Sequence, residues 1–452
     1  MKNVLARRIA AVLVAAAFGV ACVTNPVTGK SQLSLLGEEE EKALGAQAYG
    51  PLIQESYGPV NDPGLQKFLD GVGQGLAKVS HRPALDYEFT VVNANYDNAF
   101  ALPGGKICIT RGLLSRMTTE DQLAGVVGHE IGHVTARHGA QQYTKQMLIG
   151  GLLGIGGMIL EAEEVRGAPL IMAAAGIGGQ LVLLRYSRDH ERQSDELGME
   201  YMARAGYNPK GFVESMEILK AGHDTEPSKL EAMFQSHPLT SERIETARRR
   251  SAEKYPEQLG RPVRTETFGA STRALKAEAP AFKLMDEGEK LLAKKDARAA
   301  AAKFDEAARL APRQAILPAL KAIALVEANE LRSARESARE AARRDPALFH
   351  GRLAGGLSAY RLSDWRDAIS ELETAEKSVG AQLVTTYYLG RSLEALGDRG
   401  QAAEKYKLIL QSGATGEQAD YAKRRLLEWG VISQTPQQQP YPQQQPQQPY
   451  PR

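Results

Sequence analysis

The stretch His129-Glu130-Ile131-Gly132-His133 lies inside a run, Thr118 to Gln146, whose pattern predicts a single helix. Thr118 and Thr119 offer N-cap oxygens, and Glu120 and Asp121 put negative charge in the first turn, where the helix dipole favours it. Leu123, Val126, Val127, Ile131 and Val134 recur at three- and four-residue spacing, so one stripe should be buried. His129 and His133, four residues apart, stand nearly one above the other on such a helix. Two imidazoles so placed can hold one zinc ion, and Glu130, one step round, can reach a water bound to it. The bland alternative is a pair of polar residues on a solvated face. A third ligand decides between the two.

The second helix with chemistry is Arg185 to Ala205, stopped by Gly206-Tyr207-Asn208-Pro209. Glu191 and Asp195 share one face of it and can point at one place. A carboxylate from a second helix is the usual third ligand beside two such histidines, and a carboxylate one turn on can orient an imidazole from behind. Read alone, this is an ordinary charged helix. Of the remaining histidines, His237 lies in a loop ahead of Pro238, while His81, His138, His190, His223 and His350 have no partner at ligand spacing. His138 is five residues past His133, which on a continuous helix turns it well off the metal face.

Composition bounds the rest. The 452 residues suffice for two or three domains with real cores. A net charge of +2 gives no argument for nucleic acid as a partner. Cys22 and Cys108 are the two cysteines, which excludes a disulfide framework and a cysteine-based metal site. Lys2, Arg7 and Arg8 precede an apolar run, Ile9 to Val20, too short to span a bilayer comfortably. With Gly19-Val20-Ala21 before Cys22, this segment resembles a bacterial lipoprotein signal, in which Cys22 becomes the lipidated first residue. Gly19 stands where such signals usually carry leucine, so plain secretion is the alternative. Val23 is not the aspartate that commonly retains lipoproteins at the inner membrane. The lipoprotein reading therefore expects a periplasmic protein anchored to the outer membrane through lipidated Cys22.

Thr24 to Lys30 is turn-rich and reads as an extended tether. Glu38 to Tyr49 and Pro63 to Val79 are helical by pattern, the second with Asp62 as N-cap and Pro63 at its first position. Tyr87 to Val92 alternates as a strand does, and Lys106-Ile107-Cys108-Ile109-Thr110 forms a second strand after the Pro103-Gly104-Gly105 turn. A strand just ahead of a metal-bearing helix can be a sheet edge that takes an extended peptide, which makes Lys106, Ile107 and Cys108 candidates for a substrate edge. An ordinary supporting hairpin is the other reading. Met147 to Leu184, rich in glycine, alanine and aliphatics, reads as two buried or lid-like helices, with membrane contact as the second option.

Laid out with a period of 34, the C-terminal part aligns Gly288, Ala322, Gly356 and Gly390, and also Ala300, Ala334, Ala368 and Ala402. The same register aligns Phe304, Ala338, Leu372 and Tyr406, with Pro312 and Pro346 ending the first two units. This is the tetratricopeptide pattern, in which small residues let paired helices approach closely. Glu417 to Trp429 reads as a capping helix. The glutamine- and proline-rich tail cannot build a core.

NAFALPGG (98–105), HEIGH (129–133), ERQSD (191–195) and SHPLTSERI (236–244), in this order and spacing, resemble the secreted branch of the HtpX-like zinc peptidases. The resemblance implies one zinc per chain, held by His129, His133 and Glu191, with Glu130 as the base. It also implies Asp195 in support behind the ligands and His237 as a switchable extra ligand. The same resemblance implies unfolded or misassembled envelope proteins and the outer-membrane β-barrel assembly machinery as partners. The lipid anchor and the proline-glutamine tail depart from the pattern of the nearest members of that branch.

The expected fold is mainly α: a helical HExxH zincin domain with a small β-sheet, followed by an α-solenoid of tetratricopeptide repeats. The expected boundaries are a signal at 1–21, a tether at 22–36, a zinc metallopeptidase domain at 37–250 and a linker at 251–280. Four repeats with a capping helix follow at 281–430, and a tail at 431–452. The expected activity is zinc-dependent peptide-bond hydrolysis in the cell envelope, serving assembly or quality control of outer-membrane proteins, with the repeats recruiting clients. The competing reading is a non-proteolytic chaperone or assembly scaffold whose metal site is mostly closed; Glu130 argues against a pure scaffold, since a structural zinc needs no base.

Overall fold

The computed structural model describes residues 21–152, 185–225 and 236–433. The signal up to residue 20, residues 153–184 of the stretch from Met147 to Leu184 and the tail from residue 434 lie outside the described residues. Among those described, no helix is long and apolar enough to cross a membrane. The architecture is mainly helical with two small sheets.

The chain opens with a hairpin of β1 (Ala21–Thr24) and β2 (Ser31–Ser34), pairing Cys22 with Leu33. Asn25 accepts the N–H groups of Val27 and Thr28 and donates its amide to the carbonyl of Ala136, 111 residues on. The extended tether expected here is thus a hairpin docked on the body, because an Asx-turn satisfies the loop and leaves one amide to reach across. Helix α1 (Glu38–Glu55) follows, then α2 (Pro63–Lys78), whose Asp62 caps the N–H groups of Gly64 and Leu65. Leu65, Leu69, Val72 and Leu76 form its buried stripe.

Strands β3 (Glu88–Val92), β4 (Ala99–Leu102) and β5 (Lys106–Thr110) make one sheet in the order β3-β5-β4. This corrects the expected substrate edge. Lys106, Ile107 and Cys108 lie on the central strand, parallel to β3 on one side and antiparallel to β4 on the other, so their backbone groups are taken. The outer side of β3 is closed as well: Gln66 bonds both the Phe89 carbonyl and the Val91 N–H, and Gln74 donates to the Tyr87 carbonyl. The outer strand on the other side of the sheet is β4, whose residues are largely buried. Thr110 donates to the Asn98 carbonyl at 3.0 Å, so by antiparallel alternation Phe100 and Leu102 face β5 while Ala99 and Ala101 turn their N–H and C=O groups away from it.

A short α3 (Arg111–Arg116) leads to α4 (Glu120–Thr135), and α5 (His138–Leu152) follows it. All residues of α4 are buried, not one stripe, because α2, β4 and two later helices surround it. Those are α6 (Arg188–Arg204) and α7 (Lys210–Thr225). Then come α8 (Ser241–Lys254), α9 (Pro256–Leu259) and α10 (Glu266–Ala277). The polar linker expected over 251–280 is therefore largely helical. Phe268, Thr272 and Leu275, at helical spacing, are buried, and Phe268 and Leu275 join the same core as Leu65 and Val127. A buried Arg111 ties this part to the next: it bonds Asn93 and Glu278 and stacks 3.8 Å over the Phe282 ring.

From there the chain is a solenoid of consecutive helix pairs: α11 (Ala279–Ala293) with α12 (Ala297–Leu310), α13 (Ile316–Glu327) with α14 (Leu331–Arg344), α15 (Phe349–Arg361) with α16 (Trp365–Val379), and α17 (Leu383–Ala395) with α18 (Arg399–Gln411). Helix α19 (Glu417–Glu428) packs on the last pair. The aligned small positions have a steric cause. A Cβ placed on Gly288 would lie 2.6 Å from the Phe304 ring, one on Gly356 2.5 Å from Leu372, and one on Gly390 2.6 Å from Tyr406. The remaining pair carries alanine at both positions, Ala322 and Ala338, both buried.

Two outcomes follow from this packing. Gly288→Ala gains about 1 kcal/mol of helix propensity but overpacks against Phe304 at about 1–3 kcal/mol, so it should destabilise. In a Phe304→Ala background, which itself costs about 3–5 kcal/mol, the same change should instead stabilise; denaturant unfolding of the four proteins reads the reversal of sign. At the junction of the two parts, the Tyr57 hydroxyl donates to half-buried Glu289 at 2.7 Å, and burial pushes that carboxyl up to about 7. Its folded-state pKa is raised, so its contribution is fully present at acid pH and lost as pH rises through about 7. The melting temperature of Glu289→Gln should therefore gain on that of the wild type between about pH 5 and about pH 8.

Candidate metal centre

Helix α4 starts at Thr119, whose hydroxyl accepts the Gln122 N–H while the Gln122 side chain reaches back, a complete capping box. It does not run on to Gln146. Arg137 takes a left-handed φ of 61°, and α5 restarts at His138. The Arg137 side chain explains why a non-glycine holds that conformation. It is buried, bonds Glu41 at 2.7 Å and caps the carbonyls of Leu36 and Gly37, while Arg82 holds the other Glu41 oxygen.

Helix α6 crosses α4 at close range because both carry glycine there. A Cβ on Gly132 would lie 3.0 Å from the Ser194 backbone, and one on Gly198 2.9 Å from the His129 nitrogen. That approach brings Glu191, in the first turn of α6, beside both histidines. His129 Nε2 and His133 Nε2 are 3.0 Å apart; Glu191 Oε1 lies 3.3 Å from His133 Nε2, and Glu191 Oε2 lies 3.6 Å from His129 Nε2. His237 completes the group, its Nδ1 3.0 Å from Glu191 Oε1 and 3.4 Å from His129 Nε2. Four donors bound at about 2.0–2.1 Å in a tetrahedron are about 3.3 Å from one another, so these residues fit a metal ion. Facing ring nitrogens at such distances have little else to hold them.

The electrostatics agree. Burial drives His133 well below the ordinary histidine range, leaving a neutral imidazole. Burial alone would raise Glu191, but the surrounding histidines, His237 foremost, hold it well below the usual carboxylate range. Burial likewise opposes a charge on His237, yet the Glu191 and Glu130 carboxylates outweigh it and raise its pKa. The cavity favours a cation. Burial raises the carboxyl of Glu130, and neither of its oxygens has a hydrogen-bond partner among the described residues. Asp195 accepts from His129 Nδ1 at 3.0 Å and is gripped at two points by Arg243, which also lies 2.6 Å from Glu191 Oε2 and donates to the Pro238 carbonyl at 2.8 Å.

Residues 63–251, which carry every one of these side chains, match the model of peptidase family M48. Over 263 residues it is 29% identical to the beta-barrel assembly-enhancing protease of Escherichia coli K12, covering 56% of this chain and 53% of that protein. It is 32% identical over 151 residues to the mitochondrial metalloendopeptidase OMA1 of Arabidopsis thaliana, covering 33% and 29%. It is 27% identical over 197 residues to the metalloprotease YcaL of Escherichia coli K12, covering 40% and 70%. The chain thus spans about half the length of the first of these relatives.

Within residues 63–251 the structure brings together His129, Glu130, His133, Glu191, Asp195 and His237, all of them residues that the sequence singles out. Lys106 and Cys108 stand apart, the first paired with Glu88 and the second buried on the far side of the sheet. Three residues escaped the sequence reading. Arg243 sits inside the quoted SHPLTSERI, where nothing in the spacing marks it. Tyr186 lays its ring 4.0 Å from that of His133. His138 was set aside because a continuous helix would turn it about 140° from His133, whereas the break at Arg137 returns it to 3.1 Å, Nδ1 to Nδ1.

A divalent metal should stabilise this domain by about 4 kcal/mol at a thousandfold excess over its dissociation constant. Zinc added to metal-stripped protein is expected to raise the melting temperature, and the rise should vanish in His133→Ala.

Proposed function

We propose that the M48 domain is a zinc-dependent endopeptidase with His129, His133 and Glu191 as ligands, Glu130 as general base and Asp195 orienting His129. The observation that carries this reading is the set of facing donor atoms, 3.0 to 3.6 Å apart, with the buried Glu130 carboxylate beside them, 4.0 Å from His237 Nε2. When bound there, zinc would polarise a peptide carbonyl and bring the pKa of a water to about 7. Glu130 takes the proton of the attacking water and delivers it to the departing amine. An extended peptide adds to β4 along the side away from β5, where the N–H and C=O groups of Ala99 and Ala101 point. The strand containing Ile107 supports that edge from behind.

His237 occupies the fourth position, the place a water needs, and so acts as a brake. This same geometry supports a second reading, a chaperone or assembly scaffold with the site closed, and one chain can serve as both. The solenoid, read as tetratricopeptide repeats, recruits unfolded or misassembled envelope proteins. The likeness to the beta-barrel assembly-enhancing protease supports the outer-membrane assembly machinery as the setting. Cys22, preceded by its basic and apolar segment, supports a periplasmic location with a lipid anchor in the outer membrane.

Glu130→Gln should keep its zinc and lose about 10²–10⁴-fold in cleavage of an unfolded peptide. His237→Ala should also keep zinc and cleave faster and less selectively. Undiminished cleavage by Glu130→Gln would overturn the mechanism, and absence of cleavage in both the wild type and His237→Ala would leave the scaffold.

A further inference from the structure

The two histidines of HEIGH are held from behind in different ways. His129 Nδ1 faces the Asp195 carboxylate, itself anchored by Arg243. His133 Nδ1 faces His138 Nδ1 at 3.1 Å, and the other nitrogen of His138, Nε2, lies 2.9 Å from Gln193 Oε1. His138 is fully buried, and Ser194 Oγ approaches its Nδ1 at 3.2 Å.

We infer that His138 is a positioning residue that fixes the tautomer of His133 by accepting its Nδ1 hydrogen. The inference rests on His133 being a metal ligand through Nε2, as proposed above. A ligating Nε2 must offer a lone pair, so the single hydrogen of the neutral ring sits on Nδ1. The facing His138 Nδ1 must then accept, and its own hydrogen moves to Nε2. Gln193 Oε1 can only accept, and it stands where that hydrogen points. Each assignment in the chain from Gln193 to the metal forces the next.

The choice of an imidazole over a second carboxylate has a physical reason. His133 already shares its buried pocket with Glu191, and Glu130 adjoins it on the same helix. Asp195 is buried behind His129 as well, so a further buried anion would be costly, whereas a neutral ring supplies the lone pair without charge. His190 stacks on His138 at 4.1 Å between centroids and 15° between planes, which keeps the ring from turning away.

The test uses the full chain and reads zinc affinity by competition with a chelator. His138→Leu fills the space without an acceptor and should weaken zinc about 10–100-fold. His138→Asn returns an oxygen near the Nδ1 position and should restore affinity to within a few-fold of the wild type. Equal affinity in all three proteins overturns the inference, and so does equal loss in both variants, which would mark the ring as packing alone. If His138→Leu does not fold, ¹⁵N-histidine spectra of the zinc-loaded wild type decide: a hydrogen on His133 Nδ1 is expected, and one on His133 Nε2 overturns it. A wild type that binds no zinc, or a His133→Ala variant that binds it as well, defeats the ligand reading itself, a result distinct from a wild type that binds zinc indifferently to residue 138.

Discussion

The close crossing of α4 and α6 is the constraint on which the rest of the centre depends. A metal group drawn from two helices needs their axes near enough for one short carboxylate to meet two imidazoles. Gly132 and Gly198 allow it, since a methyl at either position would meet backbone at 3.0 Å or less. Gly132 carries no chemistry of its own between Glu130 and His133. Here it sets the distance at which Glu191 arrives. The buried guanidinium of Arg243 then holds Glu191, Asp195 and the Pro238 carbonyl together, so the loop carrying His237 is fastened to the ligands it approaches.

A second constraint lies at the end of the same helix. Arg137 sits in a backbone region that non-glycine residues avoid, and its side chain holds it there through Glu41 and two carbonyls. Glu41 and Arg82 come from the N-terminal part of the domain, so α1 and the segment after α2 help decide where α5 begins. Strain at one residue is offset by ion pairs and caps at several others. The outcome is that the imidazoles of His133 and His138, five residues apart across the helix break, come to face each other.

Much of this was legible in the sequence. Short motifs with fixed chemical meaning gave His129, Glu130, His133, Glu191 and Asp195, and the period of 34 gave the small-residue positions, because both signals are local. What was not legible depended on backbone that leaves its regular path. The helix break at Arg137 hid His138, and the polarity of 251–280 hid a helix whose buried residues, Phe268, Thr272 and Leu275, include only two large apolar side chains. Strand order was also beyond reach. The Pro103-Gly104-Gly105 turn allows the supporting hairpin, but nothing in Lys106 to Thr110 says that this strand is the inner one, with Ala99 to Leu102 pairing on its outer side and moving the edge by one strand.

The paired positions of the solenoid bear on how such an array can change over generations. A glycine opposite a large ring and an alanine opposite an alanine are two solutions of one volume requirement, reached by two substitutions sixteen residues apart. Shrinking the ring first leaves a hole worth about 3–5 kcal/mol. Adding the methyl first costs about 1–3 kcal/mol in crowding, less about 1 kcal/mol regained in helix propensity. A lineage passing from one solution to the other would thus cross more easily through the crowded intermediate than through the empty one, and repeats within one array can drift apart in sequence while keeping the same spacing between helices.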